Sequence, residues 1–433
     1  MSEHALLPLA EIEGAVQEKA NQIALELSAP GGERRLRALI DDEISRWADD
    51  HRRGIRAFPL ADPIGLSERA FRNLAQYGPL TALLEDDDVW EVMVNSPSQI
   101  FVRRHRGRSG YHDEVFHDDA HVSRTLTKLL DDAEGAHRKL DPAEGLQDAQ
   151  LDDGARVHIV HGDIARGGHV LVNIRKFAAI PYKSLEELVE RDMLSEAVAD
   201  LLRACVRARC SIVFAGRPGS GKTTLLSCAT AELDPSLRVV VAEEVFEAAV
   251  PLPNVAQMQT RPPRGSREVV DLRRLVSGFL RMAPDVAIVG EVRDREALPL
   301  LLTLSSGVTG YTTIHSGSAR QALTRLRFIC QLGEVSGAVP LHALNNLVSE
   351  SIDVVVYCDR LAQGPAVTEV VAVEDLVSGS DAAQFTATDL YRRSGPGSPL
   401  VATGDIPVRL GRRLAAAGYD VRQMLGAGSG VRW

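Results

Sequence analysis

The chain has no apolar stretch approaching about 18 uninterrupted residues, so no segment is expected to span a membrane. Its first residues, MSEHALLPLAEIEG, offer neither a basic n-region nor a long apolar h-region, and no secretory signal peptide is expected. Cysteine is scarce. Cys205, Cys210, Cys228, Cys330 and Cys358 form no C-x-x-C pair and are odd in number, which argues against a disulfide framework or a zinc ribbon. They read as reduced, mostly buried small hydrophobes. A basic surplus is also missing: the net charge of −10 and pI near 5.7 weigh against a non-specific nucleic-acid binder, although a local basic groove is compatible with that average. These absences point to a cytoplasmic protein whose contact with a membrane, if any, is peripheral.

What is present is ample for globular folding. At 433 residues, 45% of them hydrophobic, the chain exceeds a single ordinary core, and two or three domains are expected. Residues 1–60 read as a charged helical segment. Ile12, Val16, Ile23 and Leu27 recur at roughly helical spacing, Pro30-Gly31-Gly32 breaks the run, and Leu36, Leu39, Ile40, Ile44 and Trp47 share one face of a second helix from about Glu33 to His51. A further helix, Leu66 to Leu84, is interrupted near Gly78-Pro79. Residues 61–177 then shift to short strand-like runs (Val89–Val94, Gln99–Arg103, Val157–Val160, His169–Ile174) with one helix at Ala120–Leu130, the signature of an α+β domain. Arg156 and Arg175 stand on or beside these strands. By residue type alone, a surface arginine is the commoner reading of each and a phosphate clamp the alternative.

After a linker at 178–184, residues 185–378 alternate strands and helices. Strands are expected at Ser211–Ala215, Arg238–Ala242, Val286–Val289, Gly310–Ile314 and Ile352–Tyr357. Helices are expected at Lys222–Leu233, Val269–Arg281, Arg295–Leu304, Ala319–Leu332 and Ala338–Glu350. This predicts a three-layer α/β domain with ligands at the carboxyl ends of its strands. Pro, Gly and Ser thicken after Gly379, and residues 379–433 read as a small appendage.

The chemistry lies in four places. Gly216-Arg217-Pro218-Gly219-Ser220-Gly221-Lys222-Thr223-Thr224 follows the apolar run Ser211–Ala215 and fits G-x-x-x-x-G-K-[ST] between a strand and a helix. Glycines let backbone N–H groups face phosphate oxygens, the helix N-terminus adds positive potential, Lys222 reaches the β- and γ-phosphates, and the Thr223 hydroxyl is placed for Mg²⁺. These residues imply nucleoside triphosphate binding. Asp285-Val-Ala-Ile-Val-Gly-Glu291 is an apolar strand ending in a carboxylate suited to the same Mg²⁺. Arg238-Val-Val-Val-Ala-Glu243-Glu244-Val-Phe-Glu247 runs into acids, one of which is a candidate to polarise the attacking water. His315 closes the strand Gly310–Ile314, where an imidazole is placed to sense the γ-phosphate.

In this order the four elements, GRPGSGKTT, AEEVFE, DVAIVGEVRD and GYTTIHSGSAR, resemble the secretion traffic ATPases of type II secretion, type IV pili and type IV secretion. Tyr77-Gly-Pro-Leu, Glu91-Val-Met-Val-Asn95, Asp153-Gly-Ala-Arg156-Val and Thr260-Arg-Pro-Pro263 are similar to the CpaF-like branch that drives tight-adherence pili. The resemblance spans about residues 66–375. It implies a RecA-like domain preceded by a PAS-like α+β domain and a helical segment, assembled as a homo-hexameric ATPase with the nucleotide held between the two domains and a hinge near Phe177–Lys183. It implies that Lys222 and Thr223 serve phosphate and Mg²⁺, that Glu291 is the Gly-Glu carboxylate, that Glu247 polarises water, and that His315 is the His-box histidine. Arg156 and Arg175 match arginines that approach the nucleotide, and Arg281 and Arg293 fall in motifs around the Gly-Glu strand. The implied partners are inner-membrane platform proteins, with no specific nucleic acid. A conjugation or type IV secretion ATPase shares every catalytic motif, whereas a RecA-like nucleic-acid translocase is disfavoured by the acidic balance. The chain departs from the family pattern at Glu244 (often Asp), at Gly307-Val308-Thr309 (a Thr-Gly-His turn) and at His315-Ser-Gly (usually His-Ala-Asn).

Overall fold

A computed structural model describes residues 3–104, 107–133, 139–176, 182–261, 268–333, 339–375, 385–395 and 397–426. The chain divides into two compact units, Met1–Ala178 and Ala179–Trp433. Phe177 to Pro181, most of the expected hinge, lies outside the described residues, as do Pro262 and Pro263.

The first unit opens with three helices, α1 (Glu3–Gln22), α2 (Gly32–Arg52) and α3 (Pro63–Ala75). Ile12, Val16, Leu36, Ile40, Ile44, Trp47 and Phe71 form their shared core. The first helix stops earlier than the spacing predicts. Ile23 and Leu27 lie beyond it and are exposed, because Ala24 takes a left-handed φ of 47° that ends the helix and turns Leu25 onto the core instead. A 3₁₀ turn at Gly78–Leu80 leads into α4 (Thr81–Glu85). Then come β1 (Val89–Ser96), β2 (Gln99–Arg104), β3 (Gly110–Tyr111), α5 (Asp119–Asp132), β4 (Leu146–Gln150), β5 (Arg156–Val160) and β6 (Leu171–Arg175). The strands form an antiparallel sheet in the order β3-β2-β1-β6-β5-β4, whose alternate residues Val92, Val94, Val157, Ile159, Val172 and Ile174 are buried with Leu126 and Leu130 of α5.

A polar seam joins the helices to this sheet domain. Asn73 Nδ2 donates to Glu13 Oε1 at 2.7 Å, His117 Nε2 lies 2.8 Å from Glu13 Oε2, and Arg72 pairs with Glu114. The His117 backbone N–H donates to His121 Nδ1 at 3.3 Å, which needs a lone pair on that nitrogen.

The second unit contains α6 (Leu185–Glu190), α7 (Glu196–Arg207), β7 (Ile212–Gly216), α8 (Lys222–Thr230), β8 (Val239–Glu243), β9 (Val255–Gln259) and α9 (Leu272–Ser277). It continues through β10 (Val286–Val289), α10 (Ala297–Ser305), β11 (Thr309–His315), α11 (Ala319–Gly333), α12 (Leu341–Ser351), β12 (Val354–Leu361) and β13 (Gly364–Val373). Last come β14 (Ala387–Arg393), β15 (Leu400–Ala402), α13 (Val408–Ala416) and α14 (Val421–Met424). One sheet in the order β15-β14-β13-β12-β7-β11-β10-β8-β9 runs through the unit, parallel from β12 to β9 and antiparallel beyond. Ile212 and Phe214 enter one core with α7, α8 and α13, while Val213 and Ala215 enter the other with α10 to α12. Both faces are covered, which is why these strands read as unbroken apolar runs.

The stretch expected as an appendage is part of this unit. Strands β14 and β15 extend the sheet, and Leu410, Leu414, Val421 and Leu425 lie in its core. Turn-rich composition between short strands hid this. All five cysteines are buried. No described helix is long and apolar enough to cross a membrane.

His121 supplies a test of the first unit. Burial, followed by the neighbouring His117, pushes its pKa down to about 4 from 6.5. Between these values the unfolded chain takes up a proton that the folded chain refuses, so stability present above pH 6.5 is lost as pH falls toward 4. His121→Gln keeps an acceptor and should flatten that limb by up to about 1.4 kcal/mol per pH unit. Urea unfolding at several pH values checks this, and an unchanged slope would reject the neutral buried imidazole.

Candidate functional site

The parallel register brings three strand ends together: Gly216 of β7 is the Cα partner of His315 in β11 and of Cys358 in β12. Gly216 has φ 153°, and a Cβ there would fall on the Cys358 carbonyl oxygen and 2.5 Å from Ser220 Oγ. Only glycine fits. Gly219 and Gly221 hold left-handed φ values of 70° and 83°, and the loop passes from exposed Arg217 and Pro218 to buried Ser220 before α8 begins at Lys222. Thr223 and Thr224 follow in the first turn, half-buried.

Lys222 is 6% exposed. Its Nζ donates to the Arg217 carbonyl at 2.9 Å and lies 3.3 Å from His315 Nδ1. On the far side of the ring, His315 Nε2 is 3.0 Å from Glu291 Oε1. Burial alone would raise the Glu291 carboxyl. The His315 hydrogen bond and charge, followed by Lys222 and Arg293, carry it below the usual carboxylate range instead. Glu291 therefore stays ionised beside two nitrogen groups, an oxygen donor of the kind a hard divalent cation accepts.

The acidic box occupies the adjoining strand end. Ala242 of β8 is the partner of Val289 in β10, so Glu243 and Glu244 stand beside Gly290 and Glu291. Glu244 is ion-paired with Arg293. Burial lowers the Arg293 pKa, and Glu244, together with Glu291 and Glu296, more than offsets it, leaving the guanidinium pKa raised. Glu247 is half-buried, and its backbone N–H is held by Glu243 Oε1 at 3.0 Å. Lys222, Thr223, Glu291, His315 and the acidic box are thus gathered on one edge. Arg281 stands apart, exposed on the N-terminal side of β10.

Arg156 and Arg175 belong to the first unit, where they are directly opposite each other on β5 and β6. Two residues went unnoticed in the sequence. Glu296 is 4% exposed, and its Oε1 accepts from the Arg293 and Asp294 N–H groups at 2.6 and 2.8 Å, fixing the turn after Glu291. An acid just ahead of an apolar helix was the signal available. Asp359 reaches Arg217 at 4.0 Å and carried no local signal.

A family model for type II/IV secretion system proteins matches residues 73–364. The chain belongs to this family. It is an ATPase of mixed α/β fold, and it binds nucleotide. It is 31% identical over 318 residues to the type IV secretion system protein PtlH of Bordetella pertussis, covering 67% of this chain and 91% of that one. It is 29% identical over 313 residues to the conjugal transfer protein TrbB of Rhizobium radiobacter, covering 68% of this chain and 87% of the relative. Among solved structures, the Legionella pneumophila ATPase DotB aligns with 79% of this chain and 84% of its own, at 16% identity and a TM-score of 0.47.

Lys222→Ala removes the cation that the loop presents at its mouth. Measurable ATP hydrolysis should disappear and nucleotide binding should weaken greatly, since charge-assisted contacts to phosphate are the strong ones. Near-normal turnover by the purified variant would refute this assignment.

Proposed function

We propose that the chain is a Mg-ATP-hydrolysing, homo-hexameric motor that powers assembly of a tight-adherence or related type IV-like pilus. The observation that carries the site reading is the line Lys222–His315–Glu291 at the mouth of the phosphate loop, with contacts of 3.3 and 3.0 Å. Residues 216–224 bind the triphosphate. Mg²⁺ fits the oxygen donors Thr223 and Glu291, which would hold it, and it would supply neutralisation of phosphate charge. Glu247, the last acid of its box, polarises the attacking water as the resemblance implies, and Glu244 pairs with Arg293. His315, touching both Lys222 and Glu291, registers the state of the γ-phosphate. Platform proteins of the inner membrane receive the motion, with the ATPase on the cytoplasmic face as a peripheral component and no specific nucleic acid as partner. The pilus branch rests on motifs such as Tyr77-Gly-Pro-Leu and Thr260-Arg-Pro-Pro263. The names of PtlH and TrbB favour a second reading, a type IV secretion or conjugation ATPase. Neighbouring genes for pilins and platform proteins, or for a channel and coupling protein, decide between them.

Glu247→Gln and Glu291→Gln keep shape and remove charge. Both should retain ATP while hydrolysis falls by about 10²-fold or more. Light scattering of the same ATP-bound variants should give the mass of a ring, and a 46.9 kDa monomer at micromolar concentration would reject the hexamer. If Glu244→Gln is inactive and Glu247→Gln is normal, the roles within the acidic box are reversed.

Arg156 and Arg175 are assigned to the nucleotide phosphates. The assignment rests on the resemblance, in which Arg156 and Arg175 match arginines that approach the nucleotide. Alanine at either position should lower turnover, within the range of about 10³–10⁵ known for supplied arginines, and leave the thermal midpoint unchanged. An unchanged rate with a lowered midpoint would make them structural.

A further inference from the structure

Glu243 closes β8, where the four preceding residues Val239–Ala242 are apolar and buried. A carboxylate that is only 2% exposed at such a position must be compensated. Part of the compensation comes from the acidic box itself: the N–H groups of Glu247 and Ala248 donate to Glu243 Oε1 at 3.0 and 2.8 Å. Its stem packs on the other catalytic segment. A Cβ on Gly290 would stand 2.8 Å from Glu243 Cγ and 3.0 Å from Oε1, so the glycine before Glu291 leaves the room that this side chain fills. The Gly290 N–H also donates to the Ala242 carbonyl at 3.0 Å, which locks the two strand ends side by side. Ser227 Oγ of α8 accepts from the Ala249 N–H at 3.0 Å, so the far end of the loop is tied to the helix that starts at Lys222.

We propose that Glu243 is a positioning residue of the ATPase, a buried tether that holds the Glu247-bearing loop against the Gly290–Glu291 turn. This rests on the reading of Glu247 as the water-polarising group. The requirement on Glu243 is for an acceptor oxygen of this reach, not for negative charge. Glutamine at this position retains a carbonyl oxygen to meet the two N–H groups, whereas methionine keeps comparable bulk without it. A carboxylate displaced by about 1 Å from its working position loses about 10²-fold in rate.

Glu243→Gln and Glu243→Met in the full chain test the tether by ATPase kinetics and by amide exchange over residues 244–250. Glu243→Gln should keep kcat within about threefold of the parent, whereas Glu243→Met should lower kcat by about 10²-fold with the KM for ATP within about threefold. In Glu243→Met, exchange should quicken at the amides of Glu247 and Ala248 while the rest of the sheet stays protected. A Glu243→Gln loss as deep as that of Glu247→Gln would show that the charge itself acts and overturn the proposal. Normal turnover with normal protection in Glu243→Met would overturn it too, as would loss of protection throughout the unit, which marks a general fold role. If the parent chain hydrolyses no ATP, the site reading fails, while the exchange at Glu247 and Ala248 still decides whether the tether exists.

Discussion

The site depends on the parallel register of β7 between β11 and β12. That register sets Gly216 opposite His315 on one side and Cys358 on the other, and each neighbour acts on the phosphate loop. The Cys358 carbonyl excludes any side chain at Gly216, so the chain must turn there. His315 meets Lys222 as soon as α8 begins. A slip of one residue would point Ile212 and Phe214 into the wrong core and take His315 away from the loop. The same apolar alternation that fills two cores therefore fixes the chemistry at the strand ends.

Charges at this edge are arranged in touching pairs. Glu291 meets His315, Glu244 meets Arg293, and Lys222 faces the ring from its other side. The imidazole has a choice. Nδ1 lies 3.3 Å from Lys222 Nζ, which asks for a lone pair, and 3.2 Å from the Gly216 carbonyl, which asks for a proton. With Nε2–H given to Glu291, a neutral ring takes the lysine and a protonated ring takes the carbonyl. Lys222, His315 and Glu291 thus form one line of contacts from the loop to the Gly-Glu strand.

Much of this was legible in the sequence, and unevenly so. The phosphate loop and Glu291 announced themselves because each follows an apolar run buried on both faces, whereas His315 closes a buried strand rich in threonine. The central parallel strands appeared within one residue of their places, except β12, which runs from Val354 four residues past Tyr357. Strands β9, β13, β14 and β15 did not, since Val255–Gln259 is only half-buried and the others are edge-side antiparallel strands among turn residues. Glu243 stood among three acids with nothing local to distinguish the tether from the reacting group. Its burial and its bond to Glu247 are properties of the folded loop. The tie between Glu244 and Arg293 joins two motifs 49 positions apart, and only the adjacency of β8 and β10 makes them neighbours.

The least legible feature holds the opposite end of the same strands. Asp353, 2% exposed, precedes β12, and its Oδ2 accepts from the Ser211 N–H at 2.7 Å just ahead of β7. Arg409 and Arg413 of α13 close on this carboxylate at 3.0 and 2.9 Å, more than 55 positions away in sequence. Glu374 accepts from the N–H groups of Val408 and Arg409 at 2.9 and 3.0 Å and seats the start of that helix. A buried carboxylate left without its arginines would cost about 3–5 kcal/mol. The C-terminal helix is thus not an ornament on the ATPase unit but the counter-charge that lets Asp353 sit where β7 and β12 begin. The strands that end at the phosphate loop are pinned at their origin by residues the composition had marked as an appendage. Register at the catalytic edge is in this way secured from the far edge of the sheet.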